Sequence, residues 1–149
     1  AVKCTILRTN FVGRSKVNSR ESLTDWVYTN LIASRKVEVL TDILFSPLSL
    51  TTMVEMIELV IRHKPPGVYN MGSSEGMSKA DFDFEFASRL GLPVNSMSRI
   101  KTSEAAFLHA YRPKDMRMNC SKFEKKLGIR LPNLSDEIEK SAEDYNEKN

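Results

Sequence analysis

The chain is poor in residues that form cross-links and metal sites. It contains two cysteines, Cys4 and Cys120, and two histidines, His63 and His109, and none has the spacing of a disulfide framework, a zinc site or a catalytic triad. No apolar run approaches the roughly 20 residues that a membrane-spanning helix requires. No segment has the pattern of a secretory signal peptide. We therefore expect a cytoplasmic protein with reduced thiols and no bound metal.

The chain also lacks a strong imbalance of charge. Its 22 Lys and Arg and 19 Asp and Glu residues are interspersed and leave a net charge of +3. This pattern favours an ordinary solvated surface over one that binds nucleic acid or a membrane. With 149 residues, 41% of them hydrophobic, the chain can bury roughly 70% of its unfolded surface in one core. We expect a single domain over residues 1–149.

Periodicity and capping residues predict an α/β arrangement. Short runs rich in β-branched residues predict strands, and Ser-x-x-Asp patterns at Ser22 and Ser78 mark helix starts. The predicted strands span residues 2–7, 37–40 and 67–72, and the predicted helices span 22–34, 49–64, 78–90, 121–127 and 135–148. The last helix has little apolar periodicity, and we expect its end to fray.

One segment combines an anion-binding loop with a short helix that anchors it. The guanidinium of Arg112 offers a planar fork of donors suited to a phosphate or a carboxylate, and Asp115 lies three residues on. Ser121 and Glu124 have the spacing of a capping box, and Gly128 stands where a left-handed helix C-cap requires glycine. The pattern predicts an arginine loop held in place by a capped helix.

Two further loops follow predicted strands, where α/β proteins bind ligands. In the first, Asn10 and Arg14 either face a ligand or have local roles, with Asn10 satisfying loop backbone and Arg14 in solvent. In the second, the glycines Gly72 and Gly76 lack the spacing of a phosphate-binding loop. We interpret the second loop as a turn that leads into the next helix.

Four short motifs stand in order along the chain. They are Leu-Arg-Thr-Asn-Phe-Val-Gly at 7–13, Thr-Asp-Ile-Leu-Phe-Ser-Pro at 41–47, Gly-Val-Tyr-Asn-Met-Gly-Ser at 67–73, and Arg-Pro-Lys-Asp at 112–115 followed by Asn-Cys-Ser-Lys at 119–122. Together they resemble segments of extended short-chain dehydrogenases that act on nucleotide sugars, the NAD-dependent epimerase/dehydratase family. The Asp-x-x-x-Ser-Pro pattern is more typical of the dTDP-4-dehydrorhamnose reductase branch than of the epimerase branch.

The resemblance implies the C-terminal, substrate-binding part of such an enzyme. The expected fold is α/β, with a few short strands, three to five helices and the N-terminal Rossmann half missing, so that residues 1–149 are a fragment of a longer chain. The sheet partners of the first strand would then lie in that missing half. Without it, the strand edge at residues 2–7 would pair with another copy or be disordered.

The resemblance also implies the residues that bind substrate. By position in the motifs, Asn10 and Arg112 contact the diphosphate of a dTDP- or UDP-linked sugar, and Asp115 accepts from a ribose hydroxyl. Charge-assisted donors suit a diphosphate, and a carboxylate suits a ribose diol. The expected partners are this nucleotide sugar and either the Rossmann half or another copy of the chain.

Catalytic residues of the family are missing from this sequence. The glycine-rich cofactor turn is absent, and so is the Tyr-x-x-x-Lys pair in which a lysine lowers the pKa of a tyrosine. Four residues after the tyrosines, Tyr28, Tyr69, Tyr111 and Tyr145, stand Ile32, Ser73, Asp115 and Asn149. We therefore expect no catalytic residue, and NAD(P) bound by the parent enzyme mostly through its other half. The alternative hypothesis is a non-catalytic regulatory or partner-binding module of the same superfamily.

Overall fold

A computed structural model describes residues 4–17, 19–108 and 110–146. Over these residues the chain forms nine short strands and five helices, which agrees with the predicted α/β class. In chain order they are β1 (Thr5–Thr9), β2 (Phe11–Val12), α1 (Leu23–Ile32), β3 (Val37–Leu40), β4 (Leu44–Phe45), β5 (Leu48–Ser49), α2 (Leu50–His63), β6 (Gly67–Met71), β7 (Met77–Ser78), α3 (Lys79–Arg89), β8 (Met97–Ile100), β9 (Asp115–Met116), α4 (Ser121–Leu127) and α5 (Leu134–Asn146).

The strands pair mostly in parallel and over long separations in sequence. β1 pairs with β6, β2 with β5 and β3 with β8, each in parallel, while β4 lies between antiparallel β7 and parallel β9. The expectation that the first strand has its partners outside the chain is therefore wrong. Thr5 pairs with Gly67 and Thr9 with Met71, both within this chain. Residues 2 and 3 of the predicted strand lie outside the described residues.

Two buried clusters hold the helices on these strands. The larger cluster is built around the parallel rings of Phe82 and Phe86 on α3, which pack with Val27 and Leu31 of α1. Their side chains are fully buried. The second cluster surrounds Phe123 of α4, which packs against β6 and α2. Apolar residues at helical spacing are only partly buried on α2, where Val60 is buried but Val54 and Ile61 are 53% and 63% exposed.

Most predicted helix caps are present, with one correction. The capping box at the start of α1 is confirmed, and Gly128 ends α4 in the left-handed conformation with a φ of 67°. The capping box predicted for Ser121 and Glu124 is wrong, because the N-cap of α4 is Cys120, which makes no side-chain capping bond. Glu124 instead accepts from the backbone N–H of Leu131 at 2.9 Å, which ties α4 to the following loop.

The last helix is more firmly held than its polar sequence predicts. Leu134 and Ile138 are fully buried on α5, and so is the carboxylate of Glu137. Glu137 accepts from the backbone N–H of Ser49 at 2.6 Å and from the hydroxyl of Thr52 at 2.8 Å. A carboxylate at the N-terminus of α2 is favoured by the helix dipole. The predicted fraying of the helix end stays a prediction, because residues 147–149 lie outside the described residues.

None of the described helices combines the length and apolar character that crossing a bilayer demands.

Candidate functional site

A cavity of about 630 Å³ lies between α1, β3, the start of α3 and the segment before β9. This volume is within the range of small-molecule sites, roughly 300–1,000 Å³. Most of its lining is apolar: Leu23, Trp26, Val39, Leu40, Ile43, Phe107, Leu108 and Met116. Five charged residues complete the lining: Lys36, Glu38, Lys79, Asp83 and Arg112. Apolar walls with a few charged groups are the usual composition of a ligand pocket.

The loop that carries Arg112 is tied down at both ends by one carboxylate. Asp42 accepts from the backbone N–H and from the hydroxyl of Thr102, both at 2.9 Å, and from the ammonium of Lys114 at 2.5 Å. The bond from Lys114 is the main cause that lowers the pKa of Asp42 to about 2, with the bonds from Thr102 adding to it. Asp42 therefore stays ionised at neutral pH and closes the base of this loop.

Three cations line the cavity, and one of them, Lys36, forms an ion pair with Glu38. The ammonium of Lys79 is half-buried and lies 5.8 Å from the ring centroid of Phe45. Burial lowers the pKa of Lys79, the nearby carboxyl of Asp83 opposes that change, and the charge of Arg112 lowers the pKa further. The guanidinium of Arg112 is exposed. The positive charges of Lys79 and Arg112 repel each other. An anion bound beside both side chains would be attracted to each of them.

Asp83 is the most deeply buried charged residue of the lining. Its side chain is 2% exposed, and burial raises its pKa from 3.8 to about 8, against the opposing charge of Lys79. At neutral pH this carboxyl is therefore protonated. Its Oδ1 atom is buried and has no hydrogen-bond partner among the described residues.

Of the residues predicted from sequence, Arg112 lines the cavity, and Asn10 and Asp115 do not. The side-chain amide of Asn10 donates to the backbone carbonyl of Met116 at 3.2 Å, and its Oδ1 is buried without a partner in the described part of the chain. Asn10 thus supports β9, whose residue Met116 lines the cavity.

Asp115 lies in a separate polar groove beside Arg117. The two side chains form an ion pair with a shortest separation of 2.6 Å, which lowers the pKa of Asp115 to about 2. Ser46, Ser73, Ser74, Glu75, Gly76, Met118 and Asn119 line the rest of the groove. The structure therefore places Arg112 and Asp115 in different depressions of the surface.

Arg14 has a structural contact rather than a position in the cavity. Its guanidinium donates to the backbone carbonyl of Asp144 at 3.1 Å and lies 5.5 Å from the ring centroid of Tyr145. These contacts fasten the loop after β2 to α5. The solvent-exposed position considered for Arg14 is also wrong, because the side chain is half-buried.

The loop between Gly72 and Gly76 does not fit the pyrophosphate of a dinucleotide. The backbone N–H of Ser73 donates to Ser46, and that of Ser74 donates to Pro132, so neither is free to bind a phosphate. A Cβ atom on Gly72 would lie 2.5 Å from the backbone oxygen of Ser46. Close packing explains this glycine, and the interpretation as a turn agrees with the geometry.

Sequence reasoning missed Trp26, Lys79 and Asp83 as cavity residues. A signal was present for the last two, since they stand four positions apart and therefore share one face of α3. Asp83 also falls on the face that carries Phe82 and Phe86. A carboxylate on a buried helical face is unusual and indicates function. Within the described residues, no group of three or more His, Cys, Asp or Glu side chains could hold a metal ion.

Solved structures share this arrangement over nearly the whole chain. A dTDP-4-dehydrorhamnose reductase from Clostridium acetobutylicum superposes with a TM-score of 0.81 at 19% identity, covering 93% of this chain and 48% of that one. A dTDP-4-dehydrorhamnose reductase from Bacillus anthracis, solved with NADP, gives 0.80 at 20% identity, covering 92% and 47%. The Bordetella bronchiseptica enzyme WbmG, solved with NAD and UDP, gives 0.74 at 19% identity, covering 97% and 44%.

These likenesses show that the chain has a fold found in dTDP-4-dehydrorhamnose reductases, as the sequence motifs implied. The model of the RmlD substrate binding domain family matches residues 1–147, and the chain belongs to that family. It spans about half the length of the solved structures that it matches. No curated protein sequence matches it.

Proposed function

We propose that this chain binds a dTDP- or UDP-linked sugar as the substrate-binding part of an NAD(P)-dependent reductase, epimerase or dehydratase. The observation that carries the proposal is the apolar cavity with Arg112 and Lys79 on its lining. The solved relatives include enzymes of dTDP-sugars and one bound to UDP. Thymine and uracil are both pyrimidine-2,4-diones, so one pocket can accept either base.

Arg112 and Lys79 are the groups proposed to hold the diphosphate. Arg112 provides paired donors in a plane, and Lys79 provides a compact charge that burial leaves poorly hydrated. The flat side of Trp26 gives the apolar wall a surface on which a base can stack. Charge-assisted bonds at the opening and apolar contact inside together suit an amphipathic ligand.

Asn10 and Asp115 remain proposed substrate contacts, but each side chain would first have to break the hydrogen bonds that it makes within the chain. Asn10 would have to release the carbonyl of Met116 to donate to a phosphate. Asp115 would have to exchange Arg117 for a ribose diol, although it is only three residues from Arg112. Substituting Asp115 with Asn is expected to weaken binding of UDP less than substituting Arg112 with Ala.

Titration of the chain with UDP and dTDP tests the proposal. Trp26 is the single tryptophan of the chain and lines the cavity, so its fluorescence reports occupancy. We expect both nucleotides to bind, uridine to bind more weakly, and Arg112→Ala to weaken UDP at least about tenfold, the loss typical of a charge-assisted bond. Arg62→Ala, at an exposed position on α2, is the matched control.

A partner-binding module is the second candidate, and one observation favours it. Ile6 of β1 and Val68 of β6 are paired neighbours that are 50% and 37% exposed, so they form a small apolar patch on the surface. A partner protein or the rest of a longer chain could cover it. If calorimetry detects no binding of UDP, dTDP or their sugars, this second function replaces the first.

A further inference from the structure

Asp83 has hydrogen-bonding capacity that the described part of the chain does not use. Asp83 lines the cavity and is 2% exposed, yet its Oδ1 atom has no hydrogen-bond partner among the described residues. The buried carboxylate of Glu137 shows the ordinary case, since it accepts from Ser49 and Thr52. Buried polar atoms are nearly always paired, and an unpaired one beside a cavity indicates a group that meets a ligand.

The depth of Asp83 in the cavity determines which part of a ligand can contact it. Arg112 is exposed whereas Asp83 is buried, so a ligand held by its diphosphate at Arg112 would reach Asp83 with its inserted end. A hexose inserted there would bring several hydroxyls against Trp26, Leu40 and other apolar walls, where each unpaired hydroxyl is costly. A planar base loses little on entering such walls and presents its polar atoms at one edge.

We propose that Asp83 determines base specificity by accepting a hydrogen bond from the imide N3–H of uracil or thymine. This inference rests on the proposed nucleotide-sugar function. A protonated carboxyl both accepts and donates, so it can pair with the imide N–H and its neighbouring carbonyl.

The test compares UDP with N3-methyl-UDP, which lacks the imide hydrogen. Wild-type chain is expected to bind the methylated nucleotide at least about tenfold more weakly, since a buried acceptor is left unpaired. In Asp83→Leu the two nucleotides should bind with nearly equal affinity. In Asp83→Asn, whose amide oxygen still accepts, the discrimination should persist.

Folding is not expected to obscure the result, because replacing an unpaired buried carboxyl with an apolar group removes a desolvation cost. An equal penalty for N3-methylation in wild type and Asp83→Leu would overturn the inference, and so would no penalty in wild type. If UDP still binds and Arg112→Ala weakens it, the proposed function stands without the base contact. If UDP does not bind at all, both are overturned.

Discussion

Asp83 lines the cavity and Asp42 holds the loop that carries Arg112, and their surroundings shift the pKa values of the two carboxyls in opposite directions. Lys114 bonds to Asp42 and lowers its pKa to about 2, whereas burial raises the pKa of Asp83 to about 8. Asp42 is thus a fixed negative charge that holds a loop. Asp83 is a neutral group whose charge state can change in the physiological range, as is common for residues at functional sites.

Asp83 is expected to make the free energy of unfolding depend on pH. Its pKa in the folded chain lies above the usual 3.8, so the unfolded chain releases this proton first as pH rises. Stability is therefore lost between about pH 4 and pH 8, by up to about 1.4 kcal/mol per pH unit. Urea denaturation at several pH values should show the stability of Asp83→Asn gaining on wild type over this interval.

Asp81 on the same helix provides the control for that measurement. Its pKa is lowered, mainly by the bond from Ser78 and then by that from Arg99. A lowered pKa affects stability only when pH falls below the usual value, so the difference between Asp81→Asn and wild type should stay constant from pH 5 to pH 8. A constant difference for Asp83→Asn as well would contradict the assignment.

Two buried or partly buried carboxylates connect elements that are far apart in the sequence. Asp42 ties both ends of residues 102–114 to the end of β3, and Glu137 ties α5 to the N-terminus of α2. Each connection joins residues far apart in sequence through one carboxylate. Loss of the first should affect the loop over the cavity, and loss of the second should affect the whole fold.

Asp42→Ala is expected to loosen the loop without unfolding the chain. Thr102 and Lys114 would lose their shared acceptor, so amide hydrogen exchange at 102–108 and 110–114 should accelerate, while exchange in α3 should not. Affinity for UDP should fall severalfold because Arg112 is less well positioned. Asp136→Ala, at an exposed site near the start of α5, should change neither quantity.

Glu137→Ala is expected to destabilise the fold by about 2–4 kcal/mol, since it leaves the buried N–H of Ser49 and hydroxyl of Thr52 without this acceptor. Chemical denaturation should show a lower midpoint with an unchanged slope. Glu143→Ala, at an exposed position on α5, should leave the midpoint nearly unchanged. Similar midpoints for the two variants would show that the buried contact contributes little.

The described part of the chain has a cavity, but the sequence lacks the Tyr-x-x-x-Lys pair and the glycine-rich cofactor turn. Mixed with NADH or NADPH and a 4-keto nucleotide sugar, the 149-residue chain should give no oxidation of the cofactor. Absorbance at the nicotinamide band measures this directly. Turnover above that of a heat-denatured sample would show that the chain is catalytic alone.

Local patterns predicted the elements and the family, while long-range contacts determined the site. Helix starts at Ser22 and Ser78 and the C-cap at Gly128 depend on neighbouring residues, and the ordered motifs identified a substrate-binding part with Arg112 in its loop. Short-range rules suffice for such features because the interacting groups lie within a few residues.

The role of each polar residue was decided only by tertiary structure. Asn10 meets the carbonyl of Met116, 106 residues away, and Asp115 turns to Arg117 rather than to the cavity of Arg112. The polarity of Asp83 is evident in the sequence, but its burial beside Lys79 requires α3 to pack over β3. Burial and distance set hydrogen-bonding capacity and pKa, and both depend on residues remote in the chain.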